Sequence, residues 1–315
     1  MDSSEFSNDF RNLVYIHPRD SFQENKLSRP MEVETACQTK SPKVQVDSLK
    51  RCYTENEQRY YNCCDYIELV QQDGMKPIWR RKLFSWMFEF VDEYGIALSS
   101  VAVAMNYIDR YLEHISTKKS VLQLVALSAI LVATKLYETV PLSIKDLRVL
   151  AEGVYPESDI RLMELELIQV LNWELNPLTI FDTLDFYLAY FDTKNEISSS
   201  DHLKGLTEAF LEILLCEYEF LRFRPSESVT ASLLCVMKLC MPKCCKDFER
   251  ILVSQFSSPE RMRNAVSLVK THIKPIFPQF FLEVKRESVV SPANVNMTLT
   301  MSVESLDEIK ARTEK

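Results

Sequence analysis

The chain has 315 residues, of which 46% are hydrophobic, and its formal net charge is −8. This length is sufficient for two domains of ordinary size, and the hydrophobic fraction is typical of a globular protein. The negative charge argues against nucleic acid as the main partner, because phosphate binding needs clustered Lys and Arg. Only four glycines occur, too widely spaced to form a glycine-rich nucleotide-binding loop.

Residues 1–50 are rich in Ser, Asp, Glu, Asn and Lys and show no helical periodicity, so we expect a disordered segment. Met1–Asp20 has no apolar core of the kind that a signal peptide needs. The nine cysteines are odd in number and scattered, which indicates a reducing compartment and free, mostly buried thiols. The one cluster contains Cys240, Cys244 and Cys245. Because no fourth ligand lies nearby, packing is a better interpretation of this cluster than a metal site.

Five helices are predicted in 76–177, preceded by one helix within 51–75. The five run from Lys76 to Tyr94, from Ser99 to about His114, from about Lys118 to Pro141, from Ser143 to about Leu150, and from Glu157 to Asn172. The first has an expected inward stripe at helical spacing, formed by Trp79, Leu83, Trp86 and Phe90 and widened by Phe84, Phe88 and Val91. Gly95 is expected to end that helix, and Ser99-Ser100 is expected to cap the next one.

The third of these helices contains an uncharged stretch of fifteen residues, Ser120–Thr134. This stretch is too short to cross a bilayer, which takes about 20 residues. Apolar residues fall on every face, so the pattern predicts a central helix surrounded by other helices. Lys135 follows directly and marks the point where the helix is expected to reach the surface.

The predicted helices of the second half match those of the first half in length and order, although few residues are identical. This match indicates a duplicated unit. The helices of the second half are Thr179 to about Phe191, His202–Tyr218, Ser226–Leu239, Lys243–Val253 and Ser258–Ile273. The predicted fold class is therefore all-α, with two tandem five-helix domains at 76–177 and 178–282. An N-terminal helix precedes them, and the termini, 1–50 and 283–315, are expected to be disordered.

No constellation of catalytic residues is apparent, and HExxH, nucleophile-elbow and CxxC motifs do not occur. A helical enzyme is therefore the weaker hypothesis. Two polar residues beside apolar neighbours stand out, Lys135 and Glu164. On the residues alone, local explanations suffice for both. The helix dipole favours Lys135 by about 0.3–1 kcal/mol, and Glu164 is spaced to pair with Arg161.

Several segments together resemble a cyclin box: Val103–Leu112, Leu122-Gln123-Leu124, Ala133-Thr134-Lys135, Tyr137–Pro141 and Met163-Glu164-Leu165. The run Tyr137–Leu147, with Trp173 and Pro177-Leu178-Thr179, is most similar to D-type, or G1, cyclins. The resemblance is specific over 76–190 and mostly architectural over 191–280. It implies two cyclin folds in a regulatory subunit of a cyclin-dependent kinase, acting in G1/S control in the nucleus and cytoplasm. It implies no catalysis, cofactor, metal, nucleic acid or membrane partner.

The resemblance also implies a kinase-binding site. Lys135 and Glu164 match the family's Lys/Glu pair that grips the αC helix of the kinase, and fixing that helix inward activates the kinase. The resemblance places Leu136, Ile168 and Trp173 beside the pair as an apolar floor.

A second site implied by the resemblance is a substrate-docking patch for Arg-x-Leu motifs of substrates or inhibitors. Its matching residues are Arg80, Leu83, Trp86, Glu89, Leu122 and Gln123, with Trp79 in place of the family's Met. Lys82 replaces an apolar Ile, which weakens the expected groove. The alternative interpretation is that Trp79, Leu83 and Trp86 are largely core.

Two further features bear on function. Ser291-Pro292 in the polar tail is a candidate phosphorylation site that controls degradation, although a plain tail is the alternative. The Leu-x-Cys-x-Glu motif by which D-type cyclins often bind retinoblastoma-type proteins is absent. The rival function is a transcription-associated cyclin or another two-cyclin-fold transcription factor. An initiation factor would be expected to carry a basic surface and a zinc ribbon, and neither is apparent.

Overall fold

The structure is a computed structural model that describes residues 53–61, 65–192, 200–240 and 258–277. All regular secondary structure in these ranges is helical, as the sequence predicts. The helices are α1 (53–60), α2 (Tyr66–Leu69), α3 (Pro77–Tyr94), α4 (Leu98–Leu112), α5 (Lys119–Tyr137), α6 (Ile144–Leu150), α7 (Glu157–Val170), α8 (Ile180–Asp192), α9 (Ser200–Cys216), α10 (Pro225–Cys240) and α11 (Pro259–Ile273). A 3₁₀ turn, Tyr218–Arg222, lies between α9 and α10.

Some predictions concern residues outside these ranges. They are the disordered segments 1–50 and 283–315, the helix at Lys243–Val253, Ser291, and the side chains of the cysteine cluster at 240, 244 and 245. These remain predictions.

Three predicted helix ends are confirmed by local capping. Gly95 ends α3 in the left-handed conformation, with φ of 65°, a region that glycine enters without a steric penalty. Ser143 begins α6 with a capping box, in which its side chain and that of Asp146 each bond to the other residue's backbone N–H. Thr179 and Asp182 make the same reciprocal bonds at the start of α8.

The predicted cap of α4 is wrong. Ser99-Ser100 does not cap this helix; it begins one residue earlier, after Ala97, which makes no side-chain cap. Instead, Glu138 Oε1 accepts hydrogen bonds from Ala97 N at 2.9 Å and from Ser100 Oγ at 2.6 Å. A carboxylate at a helix N-terminus is favoured by the helix dipole. Here it comes from the chain just after α5, beyond the range of a local capping pattern.

Helix α5 is the core of the first bundle, as predicted. Its buried residues are Leu122 and every residue in 125–134, and it packs mainly against α4 and α7. Of the described helices, α5 alone is long and apolar enough to meet the criterion for a membrane span, but most of it is buried inside the bundle. The same composition is what a central helix surrounded on all sides requires.

The inward face of α3 differs from the predicted stripe. Phe84, Met87 and Phe90 are fully buried, whereas Trp79 and Trp86 are only partly buried and pack at the edge of the core. Leu83, Phe84, Phe90 and Val91 are buried as predicted, but an arginine is also buried on this helix.

That arginine is Arg80, which is 1% exposed. Its Nε and Nη2 donate to the two carboxylate oxygens of Asp109 on α4, each at 2.8 Å. Its Nη1 donates to the carbonyls of Leu215 and Cys216 at the end of α9, each at 3.0 Å. Tyr66 OH donates to the same carboxylate at 2.9 Å. Burial alone would lower the pKa of Arg80, but the charge and hydrogen bonds of Asp109 outweigh burial and raise it. This network joins the two helical bundles.

The second bundle is arranged around α10, which packs against α8, α9 and α11. Residues 227–237 of α10 are all buried, so the third helix of this half is again central, as the repeated arrangement predicts. Ser258 caps α11, because its Oγ accepts from Arg261 N at 3.1 Å. The guanidinium of Arg261 pairs with the buried Glu227 at 2.7 Å, which fixes α11 to the start of α10.

The region 51–75, predicted as one helix, contains two helical segments, α1 and α2, with non-helical residues at 61 and 65. Helix α2 ends at Leu69 because the chain turns to place Gln71 against the end of α4. The side-chain amide of Gln71 donates to the carbonyls of Leu112 at 2.6 Å and Ile115 at 2.9 Å. These bonds satisfy carbonyl groups that a helix C-terminus leaves without an intrahelical partner.

Candidate partner-binding site

Two oppositely charged side chains meet where the last turn of α5 passes α7. Lys135 Nζ lies 2.5 Å from Glu164 Oε1, and the side chains are 45% and 17% exposed. The structure therefore brings together the pair that the sequence singled out. The local alternative is not observed, because Arg161 Nη2 donates to Glu157 Oε1 at 2.9 Å rather than to Glu164.

The position of Lys135 follows from the packing of α5. Thr134, the preceding residue, is fully buried, and its Oγ1 accepts from Leu142 N at 3.4 Å where the chain turns back. Lys135 is thus the first residue of α5 to reach solvent after the buried run. A solvent-accessible ion pair contributes only about 0–1 kcal/mol to stability. The pair can therefore exchange its mutual bond for bonds to a partner at little cost.

Large apolar side chains are exposed in the segments that carry the pair. Leu136 is 51% and Trp173 is 72% exposed, while Ile168 is partly buried against the core. Sequence reasoning missed Val140 and Leu165, which are 83% and 50% exposed. Leu165 directly follows Glu164 on α7. Other leucines of this helix range from buried to exposed, so the residue type alone does not predict that Leu165 is exposed. Where such side chains form one contiguous patch, the patch marks a protein–protein contact.

Trp173 is exposed because of an unusual backbone turn after α7. Asn172 and Trp173 both lie in the left-handed region, with φ of 51° and 60°. The turn is closed by a bond from Trp173 N to the carbonyl of Ile168 at 3.2 Å. A non-glycine residue in this region costs about 1–3 kcal/mol and persists only where its surroundings fix it. A left-handed residue directly after a helix is a common way to end it, and Asn is one of the residues found there, so the strain lies mainly at Trp173.

Two family models match this chain. The model "Cyclin, N-terminal domain" matches residues 48–176, and "Cyclin, C-terminal domain" matches residues 182–276. Together the two ranges cover well over half of the chain. The chain belongs to the cyclin family. Cyclins are regulatory subunits, so this cyclin is not an enzyme.

Curated relatives include several D-type cyclins. Human G1/S-specific cyclin-D3 is 31% identical over 177 residues, which are 56% of this chain and 60% of the relative. Rat G1/S-specific cyclin-D2 is 29% identical over 56% of this chain and 60% of the relative. Rice cyclin-A3-2 is 32% identical over 59% of this chain and 47% of the relative. The matches with the D-type relatives thus span about 60% of their length.

A solved structure supports the fold assignment. The viral cyclin from herpesvirus saimiri matches with a TM-score of 0.59 and 16% sequence identity, over 75% of this chain and 99% of that chain. The two tandem cyclin folds that the resemblance implies, in agreement with the repeated helix pattern, are therefore confirmed.

The residues expected to form a docking patch on this cyclin fall into two groups. Arg80, Leu83 and Leu122 are buried, and the guanidinium of Arg80 is bound inside the molecule by Asp109. The side chains of these three residues therefore lie in the core, and of the three residues that the alternative interpretation assigned to the core only Leu83 is buried. The residues that retain exposed surface are Trp79, Trp86, Glu89 and Gln123. Lys119 Nζ lies 5.4 Å from the centre of the Trp79 ring, a cation–π distance.

The cysteines and potential metal ligands within the described ranges give no indication of a metal centre. Cys216 and Cys235 are free and buried, and burial raises their pKa values to about 12 and about 11. These thiols are therefore protonated and unreactive at neutral pH. No group of three or more potential metal ligands is found among the residues that the structure describes.

Proposed function

We propose that this cyclin binds a cyclin-dependent serine/threonine kinase and activates it by fixing the kinase αC helix in its inward position. The observation that carries the proposal is the exposed Lys135–Glu164 pair, with the exposed Leu136 and Trp173 in the same segments. The G1/S-specific relatives support a role at that stage of cell-cycle control, in the nucleus and cytoplasm.

The chemistry of the pair suits the end of a partner helix and its adjoining loop. An ammonium group donates up to three hydrogen bonds, and a carboxylate accepts several. Together they can satisfy both the free carbonyls and the free N–H groups that a helix terminus exposes. The apolar side chains of Leu136, Ile168 and Trp173 would supply the area that excludes water, while the charges set the orientation of the partner.

The proposed mechanism is a population shift in the kinase. Kinase catalysis requires an ion pair between the β3 lysine and the αC glutamate, so the inward position of αC is the active one. A cyclin that binds only this position favours it by the difference between its two affinities. A preference of about 10⁴-fold corresponds to about 5.5 kcal/mol and converts a mostly inactive population into a mostly active one.

A rigid binding surface is needed for this shift, because a surface that adapts to both positions of αC has no preference. Helix α5 supplies the rigidity, since its residues 125–134 are all buried and interiors of this kind are close-packed. Lys135 follows that buried run directly, so its backbone is held by the core.

The test is binding of purified recombinant cyclin-dependent kinases to the Lys135→Ala/Glu164→Ala variant. Truncation of charged interface groups typically costs about 2–5 kcal/mol, so we expect at least about a 30-fold weaker affinity. The matched control is Glu157→Ala/Arg161→Ala, which removes another exposed ion pair of α7. If the Lys135→Ala/Glu164→Ala variant keeps its helical content and binds the kinases as tightly as the parent chain, the pair is not a kinase-binding site.

A second candidate function is docking of Arg-x-Leu motifs. The observation that favours it is that Trp86, Glu89 and Gln123 keep exposed surface and match the family's docking residues. Lys82 is exposed on the same helix, α3, where the family has an apolar residue. Lys82→Ile is therefore expected to tighten binding of an Arg-x-Leu peptide in a titration. If the affinity does not change, this groove is not a docking site.

A further inference from the structure

The segment 171–178, which presents Trp173, has no regular secondary structure after α7 ends. The backbone N–H groups of 171–174 bond locally, to carbonyls in 167–171, whereas the carbonyls of 174–176 are satisfied by side chains from other helices. Arg110 on α4 donates to the carbonyl of Glu174 at 2.7 Å. Tyr107 and Tyr137 both donate to the carbonyl of Leu175. Helices α4 and α5 thus hold the first part of the segment.

The rest of the segment is held by α1. Asn56 Nδ2 donates to the carbonyl of Asn176 at 3.0 Å, and Asn56 Oδ1 accepts from Leu178 N at 2.8 Å. One side-chain amide therefore satisfies a backbone acceptor and a backbone donor two residues apart, as a neighbouring strand would. Arg59 adds two bonds to the carboxylate of Glu174, at 3.1 and 2.9 Å. These bonds join positions 115–122 residues apart in the chain.

Helix α1 is itself fixed to the second cyclin fold. Glu57, which is buried, accepts from Ser226 N at 2.7 Å and from Ser226 Oγ at 2.9 Å at the start of α10. The ring of Tyr53 stacks on Phe186 of α8 with centroids 4.4 Å apart. The side of α1 that carries Asn56 and Arg59 therefore has a fixed position relative to segment 171–178.

The contacts from Asn56 and Arg59 matter because the turn that precedes them is strained. Asn172 and Trp173 occupy the left-handed region, which is retained only where the surroundings over-determine it. The bonds from Asn56 and Arg59 begin at Glu174, directly after the turn. Without them, the segment keeps only its local bonds and the bonds from α4 and α5, and the turn can relax toward ordinary backbone angles that move the indole ring.

We infer that Asn56 and Arg59 of α1 are positioning residues for partner binding, which hold the turn after α7 so that Trp173 faces the kinase. This inference rests on the proposed function for the identity of the partner. Its mechanism is pre-organisation: if only a fraction of molecules hold the turn correctly, the apparent affinity falls by that fraction.

The first measurement needs no kinase. In a Trp79→Phe/Trp86→Phe background, Trp173 is the only tryptophan, so its fluorescence quenching by acrylamide reports its exposure. Asn56→Ala/Arg59→Ala is expected to change the emission maximum and the quenching constant. Gln58→Ala, at an exposed position of the same helix, is the control and should change neither. Identical spectra for all three proteins would overturn the inference.

The second measurement is a double-mutant cycle on kinase affinity. Asn56→Ala/Arg59→Ala is expected to weaken binding about tenfold, whereas the same change made in Trp173→Ala should have no further effect. A merely structural role, or a direct contact of α1 with the kinase, would instead give equal losses in both backgrounds and refute the inference. If Trp173→Ala binds the kinase as tightly as the parent chain, Trp173 is not part of the interface and the inference fails, whereas the proposed function fails if the parent chain itself binds no cyclin-dependent kinase.

Discussion

Substitution of Asp109 by asparagine tests whether the buried ion pair with Arg80 joins the two cyclin folds. The change keeps the size of the side chain and its hydrogen-bonding oxygen, but it removes the negative charge. The guanidinium of Arg80, only 1% exposed, is then left without a counter-charge. The amide nitrogen would also face Arg80 Nη2, which now donates to the carboxylate at 2.8 Å.

The expected loss is large because solvent cannot replace the missing partner. Removing one member of a buried pair typically costs about 3–5 kcal/mol. The bonds from Arg80 to the carbonyls of Leu215 and Cys216 weaken as the guanidinium shifts, so the contact between the two folds loosens as well. The exposed pair Glu157–Arg161 is the matched comparison, and Glu157→Gln should cost less than about 1 kcal/mol.

The assay is urea denaturation followed by far-UV circular dichroism for both variants. Asp109→Asn should lower the unfolding midpoint much more than Glu157→Gln does. If the two variants unfold at the same midpoint, the buried pair does not stabilise the chain and the reasoning about its burial is wrong.

Two further predictions concern single carboxylates. Glu138→Ala removes the acceptor of Ala97 N and Ser100 Oγ, so it should destabilise the chain by about 1 kcal/mol in thermal unfolding; no loss would contradict the assignment of Glu138 as the cap of α4. Burial raises the pKa of the Glu57 carboxyl, and the hydrogen bonds from Ser226, which favour the charged form, offset only part of this rise. A raised folded-state pKa favours the folded state at pH values below the unfolded pKa, and this contribution is lost as the pH rises through the folded pKa. The stability of the parent chain relative to Glu57→Gln should therefore fall as the pH rises above about 4.3, the unfolded-state pKa of a glutamate, and a relative stability that rises with pH in urea titrations would refute it.

The parts of the fold that local patterns determine were predictable from the sequence. Gly95 and Ser143 end and begin helices through contacts within a few residues, and the uncharged run before Lys135 determines which helix is central. The cap of α4 was mispredicted because its acceptor, Glu138, lies 38–41 residues away in the chain. No local pattern contains that contact.

The site was predictable to a similar extent. The proximity of Lys135 and Glu164 followed from the resemblance to cyclins, and the structure places them in contact. Arg80 lies in a basic run, Arg80-Arg81-Lys82, and was assigned to a surface patch. Its burial depends on Asp109, 29 residues away. The bonds from α1 to the turn at Trp173 likewise depend on packing between distant segments.

The central claim is that this cyclin fixes the αC helix of a kinase in its inward position. Hydrogen–deuterium exchange of the kinase measures this directly, because a fixed helix exchanges its backbone amides more slowly. The parent chain is expected to protect the αC amides and to raise kinase activity, whereas Lys135→Ala/Glu164→Ala should do neither at the same concentration. If the kinase is activated while its αC amides exchange as fast as in the free enzyme, the claim is contradicted.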